Sequence, residues 1–153
     1  MLGSTLQELA LRDAALAPIF REVLTLDGES SWPDPRDNLP AGYIINTETR
    51  KNGPGEHWVA VYVDKEKSCD YFDSYGTSPL ENIYKWMKKM RLKPLRYNAK
   101  WLQAPTSQAC GAYCLYFLRA RARGMSLEKI LAHFREGDFP WNESLVRGQS
   151  SDY

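Results

Sequence analysis

Long apolar runs are missing from this chain. No stretch approaches the ~20 consecutive apolar residues that cross a bilayer, so no membrane-spanning helix is read and a soluble domain is expected. The first residues, Met1-Leu-Gly-Ser-Thr-Leu-Gln-Glu8, carry no basic segment followed by an apolar one, and no export signal is read there. Charge of either sign is not in excess: the formal net is +1, which offers no overall field to draw in nucleic acid or anionic lipid. Cysteine is scarce, with Cys69, Cys110 and Cys114 only, and an odd, small number argues against a disulfide framework and for a reducing compartment. Cys110 and Cys114 stand four apart without the Cys and His spacing of a zinc site, so no metal is expected. Histidine is scarcer still. Any chemistry that needs an imidazole must use His57 or His133.

At 153 residues the chain is long enough for one domain, 1–153, with its own core. The stretch that organises it is Gln103-Ala-Pro-Thr-Ser-Gln-Ala-Cys110-Gly, followed by an apolar-rich run up to Gly124. Pro105 keeps its predecessor out of helix, Thr106 or Ser107 is placed to cap, and Gly124 ends the run, which predicts a helix starting within a residue or two of Cys110. A thiol in that first turn meets uncompensated N–H groups and the positive end of the helix dipole. Both favour thiolate over thiol, and the same amides can receive the oxyanion formed when a thiolate attacks a carbonyl. The plainer reading is a buried cysteine that fills the core.

Upstream, Ser4 with Gln7 reads as a capping box, followed by a short helix with Leu6, Leu9 and Ala10 on one face that breaks near Pro18. Residues 27–40 are rich in Gly, Ser, Pro and Asp and read as a surface loop anchored by Trp32. Three strands follow: Gly42–Thr47, His57–Val63 and Cys69–Asp73, with Lys51–Glu56 and Asp64–Ser68 as turns. In the second, Trp58, Ala60 and Tyr62 share one face. The last two strands form an antiparallel hairpin that brings His57, first in one, to Asp73, last in the other. Ser78-Pro79-Leu80-Glu81 signals a helix start, with Leu80, Ile83, Tyr84 and Met87 inward. A short strand near Leu95, the central helix, a last helix capped by Ser126 and an irregular tail from Phe139 complete the reading.

A cysteine protease needs a thiolate, an imidazole, an acceptor to orient that imidazole and an oxyanion donor. Cys110, His57 and Asp73 are candidates for the first three, with Asp70 and Asp64 as weaker acceptors, and Gln103, seven positions before Cys110, for the fourth. His133, beside Phe134 in the last helix, reads as a packed or surface histidine.

The order His57-Trp58, then Tyr71-Phe-Asp-Ser-Tyr-Gly76, then Gln103-Ala-Pro-Thr-Ser-Gln-Ala-Cys110-Gly resembles the adenovirus proteases (adenains) and their SUMO-processing relatives. The resemblance runs from about Ile44 to Leu118. It implies an α+β, papain-like core in adenain-type chain order, with a mixed or antiparallel sheet packed on the helix that carries the nucleophile. It also implies a cysteine endopeptidase with Cys110 as nucleophile, His57 as base and acid, Asp73 as orienting acceptor, and Gln103 with the Cys110 N–H as oxyanion hole. Trp58 and Gly55 would line a narrow cleft suited to glycine near the cleaved bond.

The resemblance further implies protein substrates: capsid or core precursors in a virus or virus-like element, the enzyme acting in the nucleus or cytoplasm of the host or packaged in the virion. The alternative is cleavage after Gly-Gly in ubiquitin-like conjugates, since Asp73-Ser74 follows the SUMO-protease pattern where adenains have Glu. A third reading is an inactive protease scaffold used for binding. Adenains are activated by a disulfide-linked peptide, but no cysteine lies between Asp73 and Gln103, so no covalent activator is expected and no cofactor is required; a non-covalent activator, peptide or DNA, stays open. The basic run from Lys85 to Lys100 reads first as a solvated helix face and second as a weak DNA contact, and Arg119, Arg121 and Arg123 as partners of a helix C-terminus.

Overall fold

The computed structural model describes residues 3–26, 32–47, 57–93 and 95–150. Its centre is a five-stranded mixed sheet in the order β1 (Phe20–Thr25), β2 (Ala41–Asn46), β3 (Trp58–Val63), β4 (Cys69–Phe72) and β5 (Leu95–Tyr97). The two outer pairings, β1 with β2 and β4 with β5, are parallel, and the inner two are antiparallel. Strands β2, β3 and β4 are buried on both faces, as their near-continuous apolar sequence demands.

Helix α1 (Gly3–Arg12), the central helix α3 (Cys110–Ala122), α4 (Leu127–Leu131) and α5 (Phe139–Ser150) belong to one face of the sheet. Helix α2 (Glu81–Lys89) covers the other. The alternation read in β3 decides which residue serves which face: Trp58, Ala60 and Tyr62 pack towards α3, while Val59, Val61 and Val63 pack towards α2. Helix α3 is buried along its first ten residues, Cys110 to Arg119, which is why its sequence shows no apolar stripe. Phe72 stacks on Phe117 at 4.8 Å between centroids, locking β4 to α3.

Several local expectations shift. Gly3 already lies in α1, so Ser4 is a helical residue and not its cap. Leu80 keeps an extended backbone (φ −69°, ψ 156°), so α2 begins after it, without the side-chain cap expected from Ser78. Ile83, Trp86 and Met87 turn inward, whereas Leu80 and Tyr84 are exposed; Trp86 meets Trp32 and Tyr43 edge-on, and Trp32 anchors its loop by donating to Thr25 O. Strand β1 was not read from the sequence, because its support is non-local: it pairs with β2, across the intervening loop.

The tail expected to be irregular is helix α5. Asp138 Oδ1 accepts from Trp141 N at 3.2 Å, Gly137 sits at φ +78° before it, and Pro140 occupies the first turn, a helix start that the sequence does contain. Ser126 caps α4 as expected, accepting from Lys129 N, but the helix ends at Leu131, so His133 and Phe134 lie in the turn after it.

Candidate active site

His57 directly precedes β3 and Asp73 directly follows β4. Because Ala60 pairs with Phe72 in the antiparallel register, both residues leave the sheet at the same edge. His57 Nε2 lies 3.0 Å from Asp73 Oδ1. The carboxylate is 2% exposed and also accepts from Tyr75 N at 2.9 Å and from the Thr77 hydroxyl. Asn98, itself buried, holds the backbone of Asp73 from both sides, accepting from its N–H at 3.0 Å and donating to its carbonyl at 2.6 Å. The turn after Asp73 closes through Gly76, whose N–H reaches Asp73 O and whose φ of +75° and closeness to Lys100 O leave no room for a Cβ.

A carboxylate can only accept, so Nε2 carries the proton facing Asp73, and Nδ1 of the neutral ring is an acceptor. Nδ1 is buried and makes no hydrogen bond to another protein atom, and the Cys110 thiol is close enough to act on the charge of the ring. Burial pulls the imidazole down, but the hydrogen bond to Asp73 and the interactions with Asp73 and Cys110 outweigh it and raise His57 to about 9. Burial pushes Asp73 up, and the His57, Thr77 and Tyr75 hydrogen bonds more than reverse this, leaving it below the ordinary carboxylate range. Tyr75 stacks on the imidazole at 4.8 Å and 25°.

Cys110 opens α3, as the sequence indicates, but the cap differs: Ala109 is the N-cap and no side chain caps the turn. Ser107 Oγ accepts from Ala109 N, one residue outside the helix, so the amides of the first turn are not consumed by a side-chain cap. Beside them, Gly111 lets Leu6 of α1 pack against the turn, since a Cβ there would meet Leu6 at 2.8 Å. Gln103 is fully buried. Its Oε1 accepts from Ser74 Oγ at 2.5 Å, its Nε2 donates to Ser107 O at 3.0 Å, and its backbone N–H donates to Ser74 O.

Thus His57, Asp73 and Cys110 converge, and Gln103 joins them through Ser74 on one side and Ser107 on the other. Trp58 is 5% exposed and packed in the core beside α1, which leaves little of its ring for a substrate. Gly55 lies outside the described residues. Asp70 binds Arg96 and Arg121, Asp64 closes the β3–β4 turn on Glu66 and Ser68, and His133 bonds Tyr116, so none of the three reaches the site. Burial pushes the Cys69 and Cys114 thiols up, away from the thiolate form. Among the described residues, no cluster of His, Cys, Asp or Glu has the grouping of a metal site. The arginines at the end of α3 do more than face its C-terminus: Arg119 and the C-cap Arg123 pair with Asp13, and Arg121 with Asp70. Tyr75, Thr77 and Asn98 were not singled out in the sequence, although Tyr75 lies within the Tyr71–Gly76 motif.

Residues 43–140 match the Ulp1 protease family, C-terminal catalytic domain. The chain belongs to this family. Among its relatives is a cysteine protease of African swine fever virus, 34% identical over 102 residues, covering 60% of this chain and 37% of that protein. A protease of human adenovirus A serotype 12 is 33% identical over 136 residues, covering 78% of this chain and 64% of that protein. The crystal structure of the African swine fever virus protease superposes with a TM-score of 0.67 at 18% identity, over 95% of this chain and 65% of that one. That likeness shows the shared fold. The α+β protease architecture expected from the resemblance is the one observed, while the chain spans from about a third to just under two thirds of the length of these relatives.

Proposed function

We propose that this chain is a cysteine endopeptidase that cleaves structural-protein precursors near glycine in the maturation of a virus or virus-like element. The observation that carries the reading is the convergence of Cys110, His57 and Asp73, with Nε2 of the imidazole committed to Asp73 at 3.0 Å and Nδ1 left for the thiol.

The chemistry follows from this arrangement. Nδ1 takes the proton of the Cys110 thiol, and the thiolate attacks the carbonyl carbon of the scissile bond. The oxyanion is received by the Gln103 amide and the Cys110 N–H at the uncapped start of α3. The imidazolium returns its proton to the leaving amine, which departs and leaves a thioester on Cys110. Water, deprotonated by the same ring, then releases the acid product and restores the thiol. Asp73 keeps the ring in the productive tautomer and stabilises its charged form. In this reading nucleophile, base and oxyanion donors all come from the chain. Such an enzyme works inside the host cell or the particle formed there, where thiols stay reduced.

A second reading, processing of ubiquitin-like proteins after Gly-Gly, is favoured by the Asp73-Ser74 sequence and by a relative whose name is SUMO-1 cysteine protease. Incubation of the protein with a glycine-containing capsid-type peptide and with a ubiquitin-like precursor ending in Gly-Gly separates the two. Faster cleavage of the peptide supports the maturation reading, and exclusive cleavage of the precursor replaces it.

A further inference from the structure

Helix α5 grips the segment that carries Gln103 at both ends. At the near end Asn142 Nδ2 donates to Leu102 O at 3.0 Å. At the far end Glu143 Oε1 accepts from Ser107 Oγ at 2.7 Å, and Oε2 accepts from Tyr113 OH at 3.1 Å, three residues into α3 beyond Cys110. One carboxylate therefore ties the end of the loop to the first turn of the nucleophile helix.

Ser107 passes this constraint on, because its carbonyl receives Gln103 Nε2 at 3.0 Å. A carbonyl only accepts, so the atom facing it is the nitrogen of the amide, and the opposite oxygen is taken by the Ser74 hydroxyl. One N–H of Gln103 is thereby used, and planarity fixes the direction of the other. Glu143 is not needed to bury charge or fill the core: its side chain is 25% exposed, and α5 docks on the core through Val146 and Leu145. The family match ends at residue 140, so Asn142 and Glu143 lie beyond it.

We infer that Glu143 is a positioning residue for the oxyanion hole: it holds Ser107, and Ser107 holds the Gln103 amide in the orientation that leaves its second N–H for the oxyanion. The inference rests on the protease reading above. A peptide aldehyde ending in glycinal tests it, since addition of Cys110 Sγ to the aldehyde carbon forms a hemithioacetal whose oxygen occupies the hole. Iodoacetamide is the control, because displacement of iodide by Sγ forms no oxyanion.

Glu143→Ala is expected to weaken aldehyde inhibition about 10-fold while the alkylation rate of Cys110 stays within about twofold. Glu143→Gln, which keeps an acceptor for the Ser107 hydroxyl, should restore most of the loss. In a Gln103→Ala background Glu143→Ala should add nothing, as two residues acting through one donor are not additive. Should Glu143→Ala fail to fold, Ser107→Ala breaks the same link and should lose the same factor. Unchanged inhibition, an equal loss without Gln103, or a parallel fall in alkylation would each overturn the inference. A wild-type protein whose Cys110 neither reacts with iodoacetamide nor binds the aldehyde would remove the protease reading along with it.

Discussion

The Ser74 hydroxyl donates to Gln103 Oε1 at 2.5 Å, so the turn that begins with Asp73 also sets the amide of Gln103. The hydrogen bonds of Asp73 and those of Gln103 therefore meet in two adjacent residues, Asp73 and Ser74, at the end of β4.

Asp73→Asn is the sharpest test of the ring tautomer. An amide can turn its NH₂ towards Nε2, which moves the ring proton to Nδ1 and removes the acceptor that the thiol requires. The rate of peptide cleavage should fall by on the order of 100-fold or more, with KM little changed.

The pH profile follows from His57. Its pKa is raised from 6.5 to about 9 by Asp73 and Cys110 against the opposing effect of burial, so the imidazolium that protonates the leaving amine persists to about pH 9. The alkaline limb of kcat/KM should fall there, and Asp73→Asn should move it towards neutrality. The sign for stability is the same. A raised folded-state pKa contributes stability that is complete below 6.5 and is lost as pH rises through 9, whereas Asp73, held low, contributes above the ordinary carboxylate range and loses it on acidification. Chemical denaturation at several pH values checks both.

Asn98→Ala should separate scaffold from chemistry. It strips the acceptor of Asp73 N and a donor each from Asp73 O and Lys100 O, leaving Asp73 O with the Gly76 N–H alone. The cost should be about 2–4 kcal/mol of folding stability, measured by denaturant titration, together with a fall in kcat from the loosened Asp73.

Much of this site is legible in the sequence because its chemistry is scarce in the chain. With two histidines and three cysteines, spacing and alternation leave few combinations, and the hairpin logic that joins His57 to Asp73 is local. What the sequence does not display is what depends on distant partners. Strand β1 exists through pairing with β2, and Asn98 acquires its role only when β5 lies beside β4. Ser107 looked like a helix cap, yet its oxygen serves Ala109 N and Glu143. Trp58 drew attention by its place next to His57, but strand alternation sends it into the core, and Tyr75, two residues past Asp73, stacks on the ring.

The pairing of Cys110 with His57 is tested most directly by the rate of iodoacetamide alkylation at neutral pH, followed by mass spectrometry for each cysteine in the wild type and in His57→Ala. The account predicts fast modification of Cys110 with Cys69 and Cys114 inert, and a fall of at least about 10-fold at Cys110 when the imidazole is removed. Equal rates at Cys110 in the two proteins would contradict it.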